Sequence, residues 1–210
     1  MYLPKPTESA DFAPAPAGTF IATCYRFIDL GTHTSEFNGD RKTRREVMLS
    51  WELSDEFMEN MKPFTINKRY TWSMHEKSTL RKHLEAWRGV PFKDEDFDGP
   101  TRFNIKNIVG KPCTLTVSHT VKEGKTYAGV AGVGKMMKGV QAAAMCNPAV
   151  YLALTPDDFD AAAYGLLSDY YKQLIASSPE YQEIFKSRTQ PDDPGLPDQR
   201  DGFGDADIPF

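Results

Sequence analysis

Residues 68–89 read KRYTWSMHEKSTLRKHLEAWRG and change their hydrophobic period part-way along. In residues 68–74 apolar side chains recur at every second position, which predicts a β-strand. From residue 78 to residue 87 they recur at helical spacing, and Gly89 is a typical helix stop. The stretch therefore predicts a strand followed directly by a helix. The apolar residues concerned are Tyr70, Trp72 and Met74 in the strand and Leu80, Leu84 and Trp87 in the helix.

Two further strands are expected before this stretch. The run Thr19–Leu30 is rich in β-branched and aromatic residues, and a turn-rich loop follows at residues 31–42. Thr43–Leu53 alternates, which predicts a strand with one buried face and one exposed face. A short helix is expected at Asp55–Met61, ended by Pro63. The predicted buried face is Val47, Leu49, Trp51 and Leu53, and the predicted exposed face is Glu46, Met48, Ser50 and Glu52.

The remaining part of the β-rich region predicts a short helix within Thr101–Val109 and then a hairpin. Its strands are Pro112–Val121 and Lys125–Val133, joined at Gly124. Three strands, a helix and two strands follow one another in the order of an OB-fold, a five-stranded barrel. Periodicity alone leaves an SH3-like barrel or another small β-barrel open, and the position of the helix favours the OB-fold.

Composition divides the chain into four parts, and the fold class expected is mainly β with added helices. Residues 1–18 are a Pro- and Ala-rich arm, and residues 19–140 form the OB-fold domain. Residues 141–186 have helical spacing and form a C-terminal extension. Residues 187–210 are rich in Pro, Gly and Asp, so we expect a disordered acidic tail.

The net charge of −4 is unevenly distributed. Residues 41–138 carry 19 basic and 12 acidic side chains, a net charge of +7, whereas residues 187–210 carry two and six, a net charge of −4. A basic middle beside an acidic end is typical of a module that binds a polyanion. No stretch has the length and apolarity of a membrane helix, and no signal-peptide layout is present, so we expect a soluble cytoplasmic protein.

Several kinds of chemistry lack the residues they need. The three cysteines are far apart, the four histidines show no ligand spacing, and no catalytic triad or carboxylate pair emerges, so neither a cofactor nor a metal is expected. The acidic run at 94–98 is expected to be solvated. Residues 129–135 fit the start of a P-loop, but Met136 stands where Ser or Thr must hold magnesium. We therefore expect a binding protein rather than an enzyme.

An OB-fold binds single strands through basic side chains on its second and third strands and its first and last loops, with aromatic rings on which bases stack. Basic residues occur at these places in this chain, together with aromatic residues, although Tyr70 and Trp72 fit a core position equally well. The candidate DNA-binding residues are Phe37, Arg41, Lys42, Arg44, Arg45, Lys68, Arg69, Tyr70, Trp72, Lys122, Lys125, Tyr127, Lys135 and Lys138.

The chain ends in Gly-Asp-Ala-Asp-Ile-Pro-Phe, an apolar tip behind acidic residues. Such a tip suits a basic-rimmed pocket on another protein. Phe210 is expected to be the anchor, because burying one Phe side chain contributes about 1.5–3 kcal/mol, whereas an exposed ion pair contributes about 0–1 kcal/mol. The tip resembles the C-terminus of bacterial single-stranded DNA-binding proteins, although Ala206 interrupts the acidic run. The candidate partner-binding residues are Asp205, Asp207, Ile208, Pro209 and Phe210.

The body of the chain is similar to bacteriophage-encoded single-stranded DNA-binding proteins in four short segments. They are DLGT at 29–32, SWEL at 50–53, VGKPCTLTVSH at 109–119 and SPEYQ at 178–182. The resemblance implies a protein that coats single-stranded DNA during phage replication, recombination or repair in the cytoplasm of a bacterial host. It also implies recruitment of host or phage enzymes through the tip, and a homo-oligomer is possible. The alternatives are a nuclease or nucleotidyl transferase with an OB-like part, and an adaptor whose barrel binds protein.

Overall fold

A computed structural model of the protein describes residues 13–37 and 39–189, without the side chains of Phe37 and residues 187–189. Within them the fold is mainly β, with one six-stranded sheet and four short α-helices. None of these helices is long and apolar enough to cross a membrane. The strands are β1 (Gly18–Phe37), β2 (Asp40–Phe57), β3 (Pro63–Thr71), β4 (Pro112–Lys122), β5 (Lys125–Gly134) and β6 (Val150–Leu152), and the helices are α1 (Thr79–Arg88), α2 (Ala161–Gly165), α3 (Asp169–Ala176) and α4 (Pro179–Thr189).

All five predicted strands are present, and they follow the order β3-β2-β1-β4-β5 with antiparallel neighbours. The third is displaced from its predicted position: it spans Pro63–Thr71 instead of residues 68–74, so Trp72 and Met74 lie beyond its end. The sixth strand, β6, was not predicted. It pairs in parallel with β1 at Arg26–Ile28 and has only three residues, too few for a periodic signal. Because β6 belongs to the C-terminal part of the chain, it attaches that part directly to the sheet.

The predicted loop at residues 31–42 is wrong, because the two strands continue through it. Pairs such as Thr34 with Thr43 and Glu36 with Arg41 form a two-stranded ribbon that extends beyond the core. The hydroxyls of Thr34 and Thr43 lie 2.8 Å apart, and Gly39 turns the chain with a φ of 82°. β-branched residues on both strands favour this pairing over an open loop.

The helix after β3 is confirmed as α1. The Ser78 hydroxyl accepts a hydrogen bond from the backbone N–H of Arg81 and so caps its first turn, and Gly89 ends it with a φ of 73°. Leu80 and Leu84 are buried against the sheet, and the Trp87 ring lies 6.4 Å from the ring of Trp51. This helix therefore covers the inner side of the sheet.

The other two predicted short helices are not α-helices. At residues 55–61 the strand β2 continues to Phe57, and Met58 then donates a hydrogen bond to the carbonyl of Lys62 that turns the chain into β3. Pro63 begins β3, a position where its missing N–H costs nothing. In residues 101–109 only the 3₁₀ turn Ile105–Ile108 forms.

Strand β2 is buried on both faces from residue 47 to residue 54, which corrects the predicted exposed face. Met48 packs in a second apolar cluster with residues of β1, β6 and the C-terminal helices. Glu52 accepts hydrogen bonds from the backbone N–H groups of Cys146 and Asn147, at 2.6 and 2.8 Å. Alternation predicted only the inner face, because the residues that cover the outer face lie about 100 positions away in the sequence.

The helices α3 and α4 meet β1 at Gly31. Its φ is 82°, and a Cβ atom there would lie 2.3 Å from the Cβ of Ser178. Beside it, the Glu180 carboxylate accepts a 2.9 Å hydrogen bond from the backbone N–H of Thr32. The approach of the α3–α4 corner therefore requires glycine at this position.

Replacing Gly31 with Ala should destabilise the protein by about 2–4 kcal/mol, because left-handed strain adds to the collision with Ser178. Gly39 provides the matched control: it has the same φ of 82° but no atom within 4 Å of a Cβ. Gly39→Ala should therefore cost only about 1 kcal/mol. Urea unfolding of both variants checks this, and equal losses would contradict the close approach.

Candidate nucleic-acid interface

Four basic side chains meet in a cleft of about 550 Å³ at the junction of the ribbon, β3 and the start of α1. We call it the basic cleft. Arg44 comes from the ribbon, Lys68 and Arg69 from β3, and Lys77 from the segment before α1. Hydroxyl-bearing residues complete the walls, so the cleft offers positive charge together with hydrogen-bond donors. Those residues are Thr71, Ser73, Ser78 and Thr79.

Lys68 is the innermost of these cations. Its ammonium donates a 2.5 Å hydrogen bond to the carbonyl of Val130 on β5, and partial burial lowers its pKa. The side chain therefore links β3 with β5 while its charge faces the cleft, and its Nζ also lies 5.7 Å from the centre of the Tyr70 ring.

Tyr70 is 4 % exposed, so its ring is part of the core and is not available for a base to stack on. This corrects its prediction as a DNA-binding residue. Burial raises the pKa of its hydroxyl, which stays protonated and lies 2.8 Å from Nδ1 of His83. Burial, with a smaller effect of Lys68, lowers the pKa of His83 to about 4, so this imidazole is neutral at pH 7 and shares a hydrogen bond with the Tyr70 hydroxyl.

Arg69 joins the basic cleft to the helical extension. One guanidinium nitrogen donates a 3.0 Å hydrogen bond to the hydroxyl of Tyr170, and the guanidinium carbon lies 5.6 Å from the centres of the Tyr170 and Tyr171 rings. Glu46 lies 4.0 Å away. α3 therefore orients the guanidinium at the edge of the cleft.

The next residue along the ribbon, Arg45, has a different environment from Arg44. Its guanidinium donates to both carboxylate oxygens of the buried Asp29 and lies 4.0 Å from Glu180. The hydrogen bond to Asp29 is the main cause of its raised pKa. Arg45 is therefore engaged in an ion pair inside the fold, whereas Arg41, Lys42 and Arg44 are exposed on the ribbon.

A second groove, of about 970 Å³, lies between β3 and the hairpin of β4 and β5. We call it the hairpin groove. Thr65 and Asn67 line it from β3, Lys125 and the half-exposed Tyr127 line it from β5, and Lys122 is exposed on the other side of the hairpin turn. The groove therefore combines charge with an accessible aromatic ring.

The two concavities follow the same strand. Residues 65–67 of β3 line the hairpin groove, and residues 68–71 line the basic cleft. We call the surface that runs from the ribbon along β3 to the β4–β5 hairpin the path, and cations lie along it. A flexible polyanion with planar groups suits such a surface, because cations pair with phosphates and aromatic rings stack on bases.

The other predicted residues are not brought to this path. Trp72 is 40 % exposed but lines a separate cleft on the other side of its segment. Lys135 passes beside Gly89 at the end of α1, and Lys138 is exposed in the segment after β5. Phe37 ends β1, and its side chain is outside the described part. The predicted tip residues 205–210 also lie outside the described residues.

Lys77 and Asn67 are among the lining residues that were not predicted. Lys77 lies just before the cap of α1, and Asn67 lies on β3 between Ile66 and Lys68. The composition of these segments carries no signal that distinguishes them from ordinary surface residues. In principle the position of Lys77 at the third-strand end could have been used, because that end adjoins the first loop of an OB-fold.

Within the described residues, no group of three or more His, Cys, Asp or Glu side chains is placed to hold an ion. In the acidic run Asp96 accepts a 2.9 Å hydrogen bond from Arg88, and this bond and one from the backbone N–H of Lys93 lower its pKa. The thiols of Cys24 and Cys113 are buried, and burial raises the pKa of both.

A scan of the chain against protein-family models and a search of curated proteins found no match.

Arg44 and Arg45 are neighbours in the sequence, but Arg44 lines the basic cleft and Arg45 pairs with Asp29. Substituting each in turn therefore separates an effect on binding from an effect on stability. Arg44→Ala should leave the free energy of unfolding unchanged and weaken binding of an oligo-dT about threefold, because it removes one exposed cation. Arg45→Ala should cost about 3 kcal/mol of stability, since it leaves the buried Asp29 carboxylate without its cation. Urea unfolding and fluorescence anisotropy measure the two effects. Equal stability losses would show that the two side chains are not distinguished in this way.

Proposed function

We propose that this chain binds single-stranded DNA without strong sequence preference, along the path formed by the basic cleft and the hairpin groove. The observation that carries the proposal is the convergence of Arg44, Lys68, Arg69 and Lys77 in one cleft, beside a groove on the same strand that has an exposed Tyr127. Cations contact phosphates and aromatic rings stack on any base, and neither reads the base edges. A sequence-tolerant grip follows from these residue types.

We further propose that the sheet is an OB-fold barrel that closes between β3 and β5. The sheet order places these two strands at its two ends, and the hydrogen bond from Lys68 to the Val130 carbonyl spans the gap between them. The helix α1 stands between the third and fourth strands, as in an OB-fold. DNA binding along β3 and at the β4–β5 hairpin is the usual use of that architecture.

The extension changes which part of the barrel is offered to DNA. The outer face of β2 is covered, with Met48 and Glu52 buried, so a strand of DNA is displaced toward β3. Arg41, Lys42 and Arg44 on the ribbon remain exposed and flank that path. The ribbon therefore serves the role that the predicted first loop was expected to serve.

The biological setting rests on the resemblance to phage-encoded proteins. We propose that the chain coats and protects single strands during phage DNA replication, recombination or repair in the bacterial cytoplasm, without catalytic activity. The tip at Asp205–Phe210 is proposed to recruit replication or repair enzymes of the host or the phage. Its apolar end and acidic approach suit a basic-rimmed pocket.

Titrating the full chain with oligo-dT over a salt series tests DNA binding. Four phosphate contacts predict a slope of log affinity against log salt of about −3, because each contact on a single strand contributes about −0.7. Lys77→Ala should reduce the slope by about 0.7. Lys82→Ala, an equal charge change on the exposed side of α1, should leave it unchanged.

Affinity for duplex DNA of the same length should be lower, since paired bases cannot stack on Tyr127. Incubating the oligonucleotide with the protein and Mg²⁺, and then checking that it is intact, tests for nuclease activity. Binding that does not respond to salt, or cleavage of the oligonucleotide, would overturn the proposal.

The tail should act on DNA through charge and on partners through its end. Deleting residues 190–210 should raise the affinity for oligo-dT at low salt, because the segment carries six acidic side chains and one basic side chain. Phe210→Ala should leave DNA affinity unchanged. It should abolish capture of a bacterial enzyme that binds the C-terminal tip of the host's own single-stranded DNA-binding protein. Competition with a peptide of residues 204–210 measures that capture. Capture that survives Phe210→Ala would leave the tip as a solubilising segment only.

A further inference from the structure

A third concavity, of about 330 Å³, has a chemistry unlike that of the DNA path. It lies where the end of β3, the segment between α1 and β4, and the segment before α2 come together. We call it the aromatic cleft. Its side chains are mostly apolar or aromatic, with carboxylates at the edge. Those used here are Trp72, Phe92, Phe97, Phe103, Asp96 and Asp158.

The aromatic rings of the cleft pack around Phe92. The Phe97 ring is stacked on it at 5.5 Å between centroids, and the Phe103 ring meets it edge-on at 5.3 Å. Phe92 itself is buried, whereas Phe97 is 43 % and Trp72 is 40 % exposed. The core of the cluster is therefore closed, and two large rings face the opening.

The rings of this cluster already contact guanidinium groups of the chain itself. The guanidinium carbon of Arg88 lies 4.2 Å from the centre of the Phe92 ring and 5.2 Å from that of Phe103, and the group donates to Asp96. Arg81 lies 5.6 Å from the centre of the Phe97 ring and donates to Glu85. Each arginine thus has an aromatic face and a carboxylate, the pair of contacts that suits a planar cation.

The exposed part of the cleft offers the same two contacts. Trp72 presents an exposed ring beside the half-exposed Phe97, whose ring is already stacked on Phe92, and the Asp158 carboxylate makes no hydrogen bond or ion pair within the described part of the chain. Arg102 lies at the lining and is a single positive charge. An incoming guanidinium would find aromatic faces together with a carboxylate acceptor.

The charge around the opening selects the occupant. Segment 93–98, KDEDFD, carries four acidic and one basic side chain, and segment 155–160, TPDDFD, carries three acidic side chains. Segment 101–106, TRFNIK, carries two basic side chains, so the three segments together are net acidic. Each contributes residues to the lining. A DNA phosphate and the chain's own acidic end are repelled by this rim, whereas a cationic group is attracted.

We propose that the aromatic cleft is a docking site for an arginine side chain on a basic segment of a protein partner. The volume suits one large side chain, and the rings and Asp158 supply the stacking and the ion pair that distinguish arginine from lysine. This site is independent of the proposed DNA site, because the residues of segment 71–75 alternate between them. Thr71, Ser73 and His75 line the basic cleft, and Trp72 and Met74 line the aromatic cleft.

The probe for this site is a fluorescein-labelled acetyl-Arg-Ala-Arg-Ala-Arg amide, titrated with the full chain and followed by anisotropy at low salt. Asp158→Asn should weaken binding at least fivefold, because it removes the ion pair at the rings. Asp157→Asn makes the same charge change one residue earlier, outside the lining, and should weaken binding less than twofold. The acidic residues of the C-terminal segment affect both variants equally. Equal effects of the two substitutions would overturn the proposal, since bulk charge alone would then explain binding.

Trp72→Ala and Phe97→Ala test the stacking contribution and the identity of the occupant. Each should weaken the arginine peptide several-fold, whereas Leu166→Ala, an exposed apolar residue of the extension, should have no effect. The lysine analogue of the peptide should bind several-fold more weakly. The affinity of Trp72→Ala, Phe97→Ala and Leu166→Ala for oligo-dT should stay within twofold of that of the unsubstituted chain. A loss of dT affinity with unchanged peptide binding would make the cleft a base-binding site and overturn the proposal, without bearing on the basic cleft.

Discussion

The carboxylate of Asp29 holds three parts of the chain together. It is 5 % exposed and accepts hydrogen bonds from the backbone N–H groups of Gly31 at 3.0 Å and Leu154 at 3.3 Å, and from the guanidinium of Arg45. A buried charge is tolerated only when it is paired and hydrogen-bonded. Because these donors come from β1, β2 and the chain after β6, the position of the ribbon and that of the extension depend on one acid.

The extension that Asp29 helps to hold determines which surface of the sheet is accessible. It covers the outer face of β2, so residues that the five long strands alone would expose are part of a second core around Met48. β3 keeps its outer face at Thr65, Asn67 and Arg69. The extension also reaches that strand through Tyr170, which orients Arg69. The extension, which covers the outer face of β2, therefore also helps to shape the exposed face of β3.

Local signals allowed most of the strands and α1 to be predicted, because their information lies within the elements themselves. Ser78 and Gly89 mark the ends of α1, and alternation marks the inner face of β2. The features that were missed depend on distant contacts: three residues of β6 against β1, and Glu52 against the backbone of Asn147. For the candidate site, the basic residues of 41–45 and the β4–β5 hairpin were predicted, but residues 31–42 were expected to form a loop, and Tyr70 and Arg45 were assigned by residue type where burial decides.

Neighbouring residues in this chain serve different purposes because successive side chains line different surfaces, both within strand β2 and in the segment just after β3. Arg44 opens into the basic cleft while Arg45 pairs with Asp29, and Ser73 lines one cleft while Trp72 lines another. A cluster of basic residues in the sequence therefore overstates the number of cations available to a polyanion. The same alternation keeps an acidic, aromatic cleft within one residue of a basic one. Since like charges repel, two ligands of opposite charge at these clefts would each be excluded from the other's site, and a protein partner and a DNA strand could be held side by side without competing.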